Sequence, residues 1–202
     1  TVFNQLSNIL TCNDFLFIYT TDHGGTNGGN SVYMYLWGQI ISDADFATLV
    51  NTVHPGSMNI TMEQCYSGGF IDNLSANNRV IATACTATQV SHATQNSNYN
   101  EFVYHWTAAV NGSYPAGTSA NADNNSDGYV SMSEAFTFAY NHDAFISSET
   151  PQYNSNYSLL GQNLTLLGNQ FCTTKITGSR LVCSSNTGYS VTNLFPGDTL
   201  VW

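Results

Sequence analysis

Basic residues are nearly absent from this sequence of 202 residues. Arg79, Lys175 and Arg180 are the three that it contains, against 13 Asp and Glu, so the formal net charge is −10 at pH 7. Proteins that bind nucleic acid use clustered Lys and Arg to neutralise phosphates, so we expect no nucleic-acid partner. An acidic surface instead attracts cations, whether Ca²⁺ or basic segments of a polypeptide.

The sequence also lacks a run of 18 or more apolar residues, so we expect no membrane-spanning helix. It has no recognisable signal peptide either. Because Thr1 is not a start residue and begins a helix-like pattern, we interpret the chain as part of a longer precursor. Low Lys content with abundant Asn and Thr is typical of exported bacterial surface proteins. We therefore expect a secreted, extracellular or cell-surface location.

The five cysteines have neither the spacing of a disulfide framework nor that of a zinc site. Their odd number leaves at least one thiol unpaired, which is compatible with a reactive cysteine. Cys172 and Cys183 lie in a strand-like part of the chain. Whether they form a disulfide across a hairpin or stay unpaired is left open.

Strand-like and helix-like patterns alternate along most of the chain. The run FLFIYT at 15–20 is typical of a strand buried on both faces of a parallel sheet. The other predicted strands span 31–37, 58–64 and 79–85, and predicted helices span 1–10, 101–110 and the segment between Ser42 and Pro55, where Ser42 and Asp45 form a capping box. The alternation predicts an α/β fold with a mostly parallel sheet flanked by helices.

The pattern changes at about residue 169. Short β-rich pieces with Gly and Pro turns follow, and the helical signals stop. We interpret 1–168 as the main domain and 169–202 as a linker or the first strands of a truncated immunoglobulin-like β domain.

Two segments combine a reactive residue type with glycines directly after a predicted strand. The first, at 21–25, is TDHGG and contains His23; the second, at 63–69, is EQCYSGG and contains Cys65. Ligand crevices of α/β sheets lie at the carboxyl ends of the strands. A nucleophilic cysteine needs a base and N–H donors for the oxyanion, and the N–H groups of Gly24 and Cys65 are candidate donors. Taken singly, each residue is more often structural than catalytic.

Together these segments resemble the caspase-like cysteine peptidases, most closely the legumain branch. The resemblance rests on FLFIYTTDHGG and MEQCYSGGF, continues through RVIATACTATQVSH, and runs from residue 1 to about 168. It implies a caspase–haemoglobinase three-layer sandwich, a dyad of Cys65 and His23, and an oxyanion hole that includes Gly24. It also implies specificity for the residue on the acyl side of the cleaved bond.

Glu63 stands two residues before Cys65, where relatives carry an acidic residue of the S1 pocket. The resemblance thus implies a substrate-binding role for Glu63, and an acidic pocket wall favours Arg or Lys, or the amide of Asn. The alternative for Glu63 is a surface or salt-bridged carboxylate at a strand end. The cleavage preference therefore stays open between Asn or Asp and Arg or Lys.

One portion of the family pattern is not found in the sequence. The family's catalytic domain has a further βαβ portion before the segment that matches residues 1–10. That portion carries a polar residue that orients the histidine and, in the legumain branch, an S1 arginine. We expect either a processed or truncated fragment, or a partner segment present as a separate chain.

The segment 123–134 has the ligand pattern of an EF-hand loop. The candidate ligands are Asp123, Asn125, Asp127, the carbonyl of Tyr129, Ser131 and Glu134, with Gly128 at the sharp turn. A helix with an apolar face, from Met132 to Tyr140, follows the loop, whereas the segment before it is not helical. We expect a structural Ca²⁺ in a lone loop, and the alternative is a solvated acidic turn.

The leading functional hypothesis is a secreted cysteine endopeptidase that works through an acyl-enzyme. A transpeptidase uses the same intermediate, with an amine in place of water, and is a close variant. The alternative from another class is a catalytically idle, calcium-stabilised adhesion or structural module with a peptidase fold.

Overall fold

The computed structural model describes residues 1–28, 31–156, 158–169, 175–177 and 190–192. The strands are β1 Phe15–Thr20, β2 Gly24–Thr26, β3 Val32–Leu36, β4 Gln39–Ser42, β5 Ser57–Met62, β6 Arg79–Thr83, β7 Gln152–Ser155, β8 Leu164–Thr165, β9 Gly168–Asn169, β10 Lys175–Thr177 and β11 Ser190–Thr192. The helices are α1 Val2–Leu6, α2 Asp43–Val50, α3 Ile71–Leu74, α4 Glu101–Asn111, α5 Met132–His142 and α6 Ser158–Asn163, and a 3₁₀ turn spans Ser67–Phe70.

A four-stranded sheet with the order β1-β5-β6-β7 organises the fold. β1, β5 and β6 are parallel, and β7 pairs with β6 in the antiparallel direction. Thr20 lies opposite Met62, and Met62 lies opposite Thr83, so the three parallel strands end side by side. The predicted α/β fold with a mostly parallel sheet is confirmed, and its strand ends deliver their following loops to one edge.

Apolar side chains cover both faces of this sheet. On one face Val80 and Ala82 pack with residues of α4, α5 and α6, whereas Ile81 of the same strand packs with α2 and the 3₁₀ turn on the other. This alternation is the normal consequence of the two-residue repeat of a strand. All residues of β5 and β6 are buried, so the strands that precede the candidate nucleophile belong to the core.

Strand β1 differs from its prediction. Phe17 and Tyr19 are 38% and 42% exposed, although the apolar run predicted burial on both faces. The reason is position: within the described residues β1 pairs with β5 alone and forms an edge of the sheet. Phe17 stacks on Trp106 of α4 at 5.8 Å between ring centroids, so one side of the ring is covered.

A three-stranded antiparallel meander, β2-β3-β4, follows β1. The sequence predicted β3, but β2 and β4, with three and four residues, are too short to stand out. Gly38, with φ +77°, makes the turn between β3 and β4, and Trp37 beside it is fully exposed. Half of the capping box predicted for α2 is present: the Ser42 hydroxyl accepts the Asp45 N–H at 3.1 Å, but the Asp45 carboxylate accepts the Ser42 hydroxyl and not its N–H.

Helices α4 and α5 form beside the sheet close to their predicted bounds. In α4 the predicted apolar face is buried at Phe102, Trp106 and Ala109. Phe102 meets Phe136 of α5 at 6.0 Å between ring centroids. The long N-terminal helix predicted for 1–10 is shorter and ends at Leu6.

Little of the β-rich tail is described. β10 and β11 pair antiparallel in a sheet of their own, which is compatible with β structure after residue 169. Cys172, Cys183 and most of the expected immunoglobulin-like strands lie outside the described residues, so the domain boundary stays a prediction. None of the described helices has the length and apolarity that crossing a membrane requires.

Candidate active site

His23 is held at the start of the meander. Its carbonyl accepts the Tyr35 N–H at 2.9 Å, and its own N–H donates to the Asp22 carboxylate at 2.7 Å. Asp22 adopts φ 120°, a conformation that L-residues rarely take, at the sharp change of direction between β1 and β2. The Tyr35 ring meets the imidazole edge-on at 6.3 Å between centroids, and His23 remains exposed to solvent.

Cys65 is held at a tight turn after β5. Tyr66 is left-handed, with φ 61°, and turns the chain into the 3₁₀ segment Ser67–Phe70. The Gly68 N–H then donates to the Cys85 carbonyl at 2.9 Å. A Cβ on Gly68 would lie 2.7 Å from that carbonyl oxygen, so the turn fits against the end of β6 because the residue is glycine.

The backbones that carry His23 and Cys65 are in direct contact. A Cβ on Gly24 would lie 1.9 Å from the Cys65 carbonyl oxygen and 2.9 Å from its carbon, so no side chain fits there. The residue after His23 therefore packs on the main chain of Cys65. Both residues line one pocket of about 550 Å³ at the carboxyl ends of β1 and β5.

Glu63 lines the same pocket on the Cys65 side. Its carboxylate accepts hydrogen bonds from the Tyr19 and Thr21 hydroxyls. Burial, together with the neighbouring Glu63 carboxylate, raises the pKa of Tyr19 above its ordinary value, so the phenol remains a donor. Glu63 is therefore held by hydroxyls and not by a cation. The ion pair found among the described residues is elsewhere, between His105 and Glu101.

The loop after β6 contacts the sulfur of Cys65. The Ser91 N–H donates to Cys65 Sγ at 3.3 Å, and the Ser91 carbonyl lies 3.8 Å from the same sulfur. Asn100 ties this loop to the pocket wall, because its Nδ2 donates to Ser91 Oγ and lies 3.3 Å from the carbonyls of His92 and Glu63.

Sequence reasoning missed these contacts. From the sequence alone, His92 is interpreted as a structural or surface histidine, as are His54, His105 and His142. His92 instead lines the pocket with Ser91 and Asn100. One signal was available, because the third stretch of the family resemblance ends at Ser91 and His92.

The three described thiols have different surroundings. Cys12 is exposed, Cys65 is partly buried in the pocket, and Cys85 is fully buried. Burial raises the pKa of the Cys85 thiol to about 11, so it stays protonated and lies 3.2 Å from the Gln89 carbonyl. Cys65 is therefore the described thiol that combines access to the pocket with polar neighbours.

The loop 123–134 folds around its own carboxylates. Asp123 accepts the N–H groups of Asp127 and Gly128 at 3.2 and 2.9 Å, and Gly128 is left-handed with φ +89°. Glu134 is buried and accepts N–H groups from Asn124 and from Ser131 at 3.0 and 2.9 Å. Side-chain and main-chain oxygens of the loop supply the donor types that Ca²⁺ prefers.

Acidic side chains alone do not define a metal site in this loop. Across the part of the chain that the structure describes, no three His, Cys, Asp or Glu side chains converge as metal ligands. The other candidate donors of the loop are the Asn125 amide, the Ser131 hydroxyl and the Tyr129 carbonyl.

Comparison with known proteins gives one family. The chain matches the sequence model of the peptidase C13 family over residues 8–156, which is more than half of its length. The matched range contains all of the pocket residues described above. A search of curated proteins finds no significant match.

Proposed function

The chain belongs to the peptidase C13 family, a family of cysteine peptidases, and from that premise we propose that it is an endopeptidase with Cys65 as nucleophile and His23 as acid–base partner. Its substrates as a peptidase are polypeptides. The observation that carries the assignment of the dyad is the packing of Gly24 on the Cys65 main chain, which places both side chains on one pocket.

The proposed reaction has two halves. Cys65 Sγ attacks the carbonyl carbon while His23 takes the thiol proton and passes it to the leaving amine, so the C–N bond breaks and a thioester forms. Water then attacks the thioester, gives a proton through His23, and releases the acid and the free thiol. In a transpeptidase variant, an amine replaces that water.

The Gly24 and Cys65 N–H groups are the proposed oxyanion donors. Gly24 lies opposite Met34 in the antiparallel pairing, and the neighbouring pair His23–Tyr35 carries the hydrogen bond. Polar groups alternate in such a ladder, so the Gly24 N–H points away from β3. This supports its availability to a substrate.

We assign the substrate's acyl-side residue to the pocket wall at Glu63. The carboxylate is fixed by two hydroxyls, and no described Lys or Arg neutralises it. It suits the guanidinium of Arg, the ammonium of Lys or the amide of Asn, and it repels an ionised Asp. The preference between Asn or Asp and Arg or Lys remains to be measured.

Labelling by activity-based probes tests this function. Acyloxymethyl ketones bearing Asn, Asp, Arg or Lys should attach to Cys65, as read from the mass of its peptide. Cys12→Ser should label like the unchanged protein, and Cys65→Ala should not label. Failure of the folded protein to label with any probe, or to cleave any peptide, would return the idle adhesion or structural module as the better hypothesis.

We further propose a structural Ca²⁺ in the loop 123–134. The wrapping of the loop around Asp123 and the buried Glu134 support it. Lone loops of this type bind weakly, and extracellular modules bind Ca²⁺ with Kd values of about 10⁻⁴–10⁻³ M. We also propose a secreted or cell-surface location, which fractionation of cells that express the protein tests.

A further inference from the structure

Glu149 is a fully buried acid beneath the pocket and has no part in the mechanism proposed above. It lies between α5 and β7, and its Oε2 accepts the His92 N–H. No described residue makes a hydrogen bond of good geometry to its other oxygen, Oε1, although the main-chain N–H of Phe102 also interacts with the carboxyl group. A buried carboxyl with one bonded oxygen needs an explanation, because leaving polar groups buried and unpaired is costly.

The His92 N–H belongs to the same peptide group as the Ser91 carbonyl. That carbonyl lies 3.8 Å from Cys65 Sγ. Glu149 thus holds one end of a planar peptide group whose other end faces the nucleophile. Rotation of this peptide would move the Ser91 carbonyl relative to the sulfur, whereas the Ser91 N–H, which donates to the sulfur at 3.3 Å, belongs to the preceding peptide group.

The orientation of this peptide group bears on the charge of the sulfur. An N–H aimed at the sulfur stabilises a thiolate, whereas a carbonyl oxygen stabilises the thiol and opposes the thiolate. Small rotations of the peptide therefore change the balance between the two forms of Cys65.

We propose that Glu149 is a positioning residue for Cys65, which it serves by fixing the peptide group between Ser91 and His92. The proposal rests on Cys65 being the nucleophile of the proposed function. Glu149 acts in its neutral form, as a carboxylic acid that accepts the His92 N–H.

The surroundings of Glu149 favour that neutral form. Burial raises the pKa of Glu149 to about 8, and the carboxylates of Asp143 and Glu101 act in the same direction, whereas the N–H groups of His92 and Phe102 lower it. The Cys85 thiol also faces it. Burial likewise raises the pKa of Asp143 to about 6, so Asp143 is the first of the two to ionise as pH rises.

The sign of the pH effect follows from the raised pKa. The ordinary pKa of Glu is 4.5 and the value in the fold is about 8. Between these values the folded state binds more protons than the unfolded state, so stability falls as pH rises through this window. Above it, the charged carboxylate strains the site that holds the Ser91–His92 peptide.

Two substitutions separate the role of Glu149 as a hydrogen-bond acceptor from the effect of its charge. Glu149→Gln keeps an oxygen for the His92 N–H and is neutral at every pH, whereas Glu149→Leu removes the acceptor. The matched control is Asp43→Leu, because Asp43 is a buried acid that bonds to Asn73 and belongs to α2, outside the pocket lining. The measurements are kcat, KM and the pH profile of Cys65 alkylation by iodoacetamide, read from the Cys65 peptide in a Cys12→Ser background.

Glu149→Leu should lower kcat by about 10-fold to 100-fold, the scale of a misplaced reacting group, with a smaller change in KM. It should also shift the alkylation profile of Cys65, whereas Asp43→Leu lowers the Tm and leaves that profile unchanged. Glu149→Gln should keep the activity at pH 6–7. Between pH 5 and pH 8 its Tm should fall less than that of the unchanged protein.

Wild-type kcat and alkylation in a folded Glu149→Leu protein would overturn the proposal. If that variant does not fold, a Glu149→Gln protein with the wild-type pH dependence of Tm and alkylation overturns it instead. The alkylation profile needs no peptidase activity. A protein that cleaves no peptide yet shows the Glu149-dependent profile would thus refute the proposed function and support the positioning of Cys65.

Discussion

The two sides of the candidate dyad are built in contrasting ways. Cys65 follows the fully buried strand β5, and its sulfur contacts the main chain of Ser91. His23 is exposed and precedes β2, a strand of three residues in a meander that carries the exposed Trp37 at its β3–β4 turn. The nucleophile is therefore placed by the core of the domain, and the histidine by a surface hairpin.

This contrast affects how each side responds to change. Within the described residues, the hydrogen bonds of His23 involve its main chain, and the imidazole meets the edge of the Tyr35 ring. An exposed side chain with so few contacts keeps rotamer freedom that a bound substrate must remove, at an entropic cost. Cys65 has little such freedom, because its neighbours belong to segments that are bonded to one another.

Of the substitutions considered, removal of either reacting group should have the largest effect on kcat/KM. Cys65→Ala and His23→Ala should each lower kcat/KM on the order of 10⁴-fold or more, and the double variant should be hardly worse, because the pair acts as a unit. His23→Ala should leave the Tm unchanged, since His23 is exposed. The checks are steady-state kinetics and thermal unfolding of the three variants. Near-normal kcat in His23→Ala would assign the base elsewhere.

The strands that precede the candidate dyad were predictable because β1 is a continuous apolar run and β5 alternates Met58, Ile60 and Met62 with polar residues. β1, β5 and β6 lie within two residues of their predicted bounds, and α4 and α5 likewise follow clear helical patterns. β2, β4 and β7 have only three or four residues each, and they exist because a neighbouring strand supplies hydrogen bonds. A pattern within one segment contains no information about such partners.

The same limit applies to the pocket. His23, Glu63 and Cys65 follow strands directly, so the topology rule for α/β sheets locates them. Ser91 and Glu149 lie in irregular segments that are joined by long-range bonds, such as that from the Thr150 N–H to the Gln89 side chain at 3.0 Å. Their positions depend on tertiary contacts between distant parts of the chain, which local patterns do not predict.

Substitution of Glu63 tests how the two sides of the candidate dyad are connected, because this residue contacts both. Its backbone follows β5, yet its carboxylate is held by Tyr19 and Thr21 at the end of β1. If Arg or Lys substrates are preferred, Glu63→Gln should cost about 2–4 kcal/mol in kcat/KM, the scale for losing a desolvated charge pair. If Asn is preferred, the loss should be smaller, since a glutamine can still bond to an amide.

The control for this substitution is Tyr19→Phe, which removes one hydroxyl donor and keeps the charge of Glu63. Matched Arg, Lys, Asn and Leu peptides should keep their rank order in Tyr19→Phe. An unchanged rank order in Glu63→Gln as well would remove Glu63 from the specificity pocket.

The contact between Gly24 and Cys65 offers a direct way to push the two sides apart. An alanine Cβ at Gly24 meets the Cys65 main chain at 1.9 Å, whereas one at Gly25 meets the Tyr33 ring at 2.5 Å. A ring can swing away, but a main-chain carbonyl at a tight turn cannot. Gly24→Ala should therefore lower kcat/KM by about 10²-fold, the scale of a misplacement near 1 Å, and Gly25→Ala much less. Equal losses in both variants would show that Gly24 has no special role.

Calcium should produce the smallest effect, confined to the face of the sheet that α4 and α5 cover. The loop 123–134 leads into α5, which packs through Phe136 on Phe102 of α4, and α4 lines the pocket beside Cys65. At calcium ten times its Kd, binding should stabilise the fold by about 1.4 kcal/mol. For a chain of this size that is a rise in Tm of about 3–6 °C, which chelation should reverse.

Asp127→Asn tests whether that rise comes from the proposed loop. Asp127 is exposed, and its Oδ1 accepts the Tyr129 N–H at 2.9 Å, a bond that an asparagine oxygen can also make. The variant should keep the calcium-free Tm and lose most of the calcium-dependent rise. Asp72→Asn, which removes the same charge from exposed α3, should keep the rise.

Hydrogen exchange should slow in α5 on adding calcium and stay constant in β2–β4, because the meander packs on the opposite face of the sheet. A rise that survives in Asp127→Asn, or equal protection of both regions, would place the cation elsewhere or reduce its effect to general screening of an acidic surface.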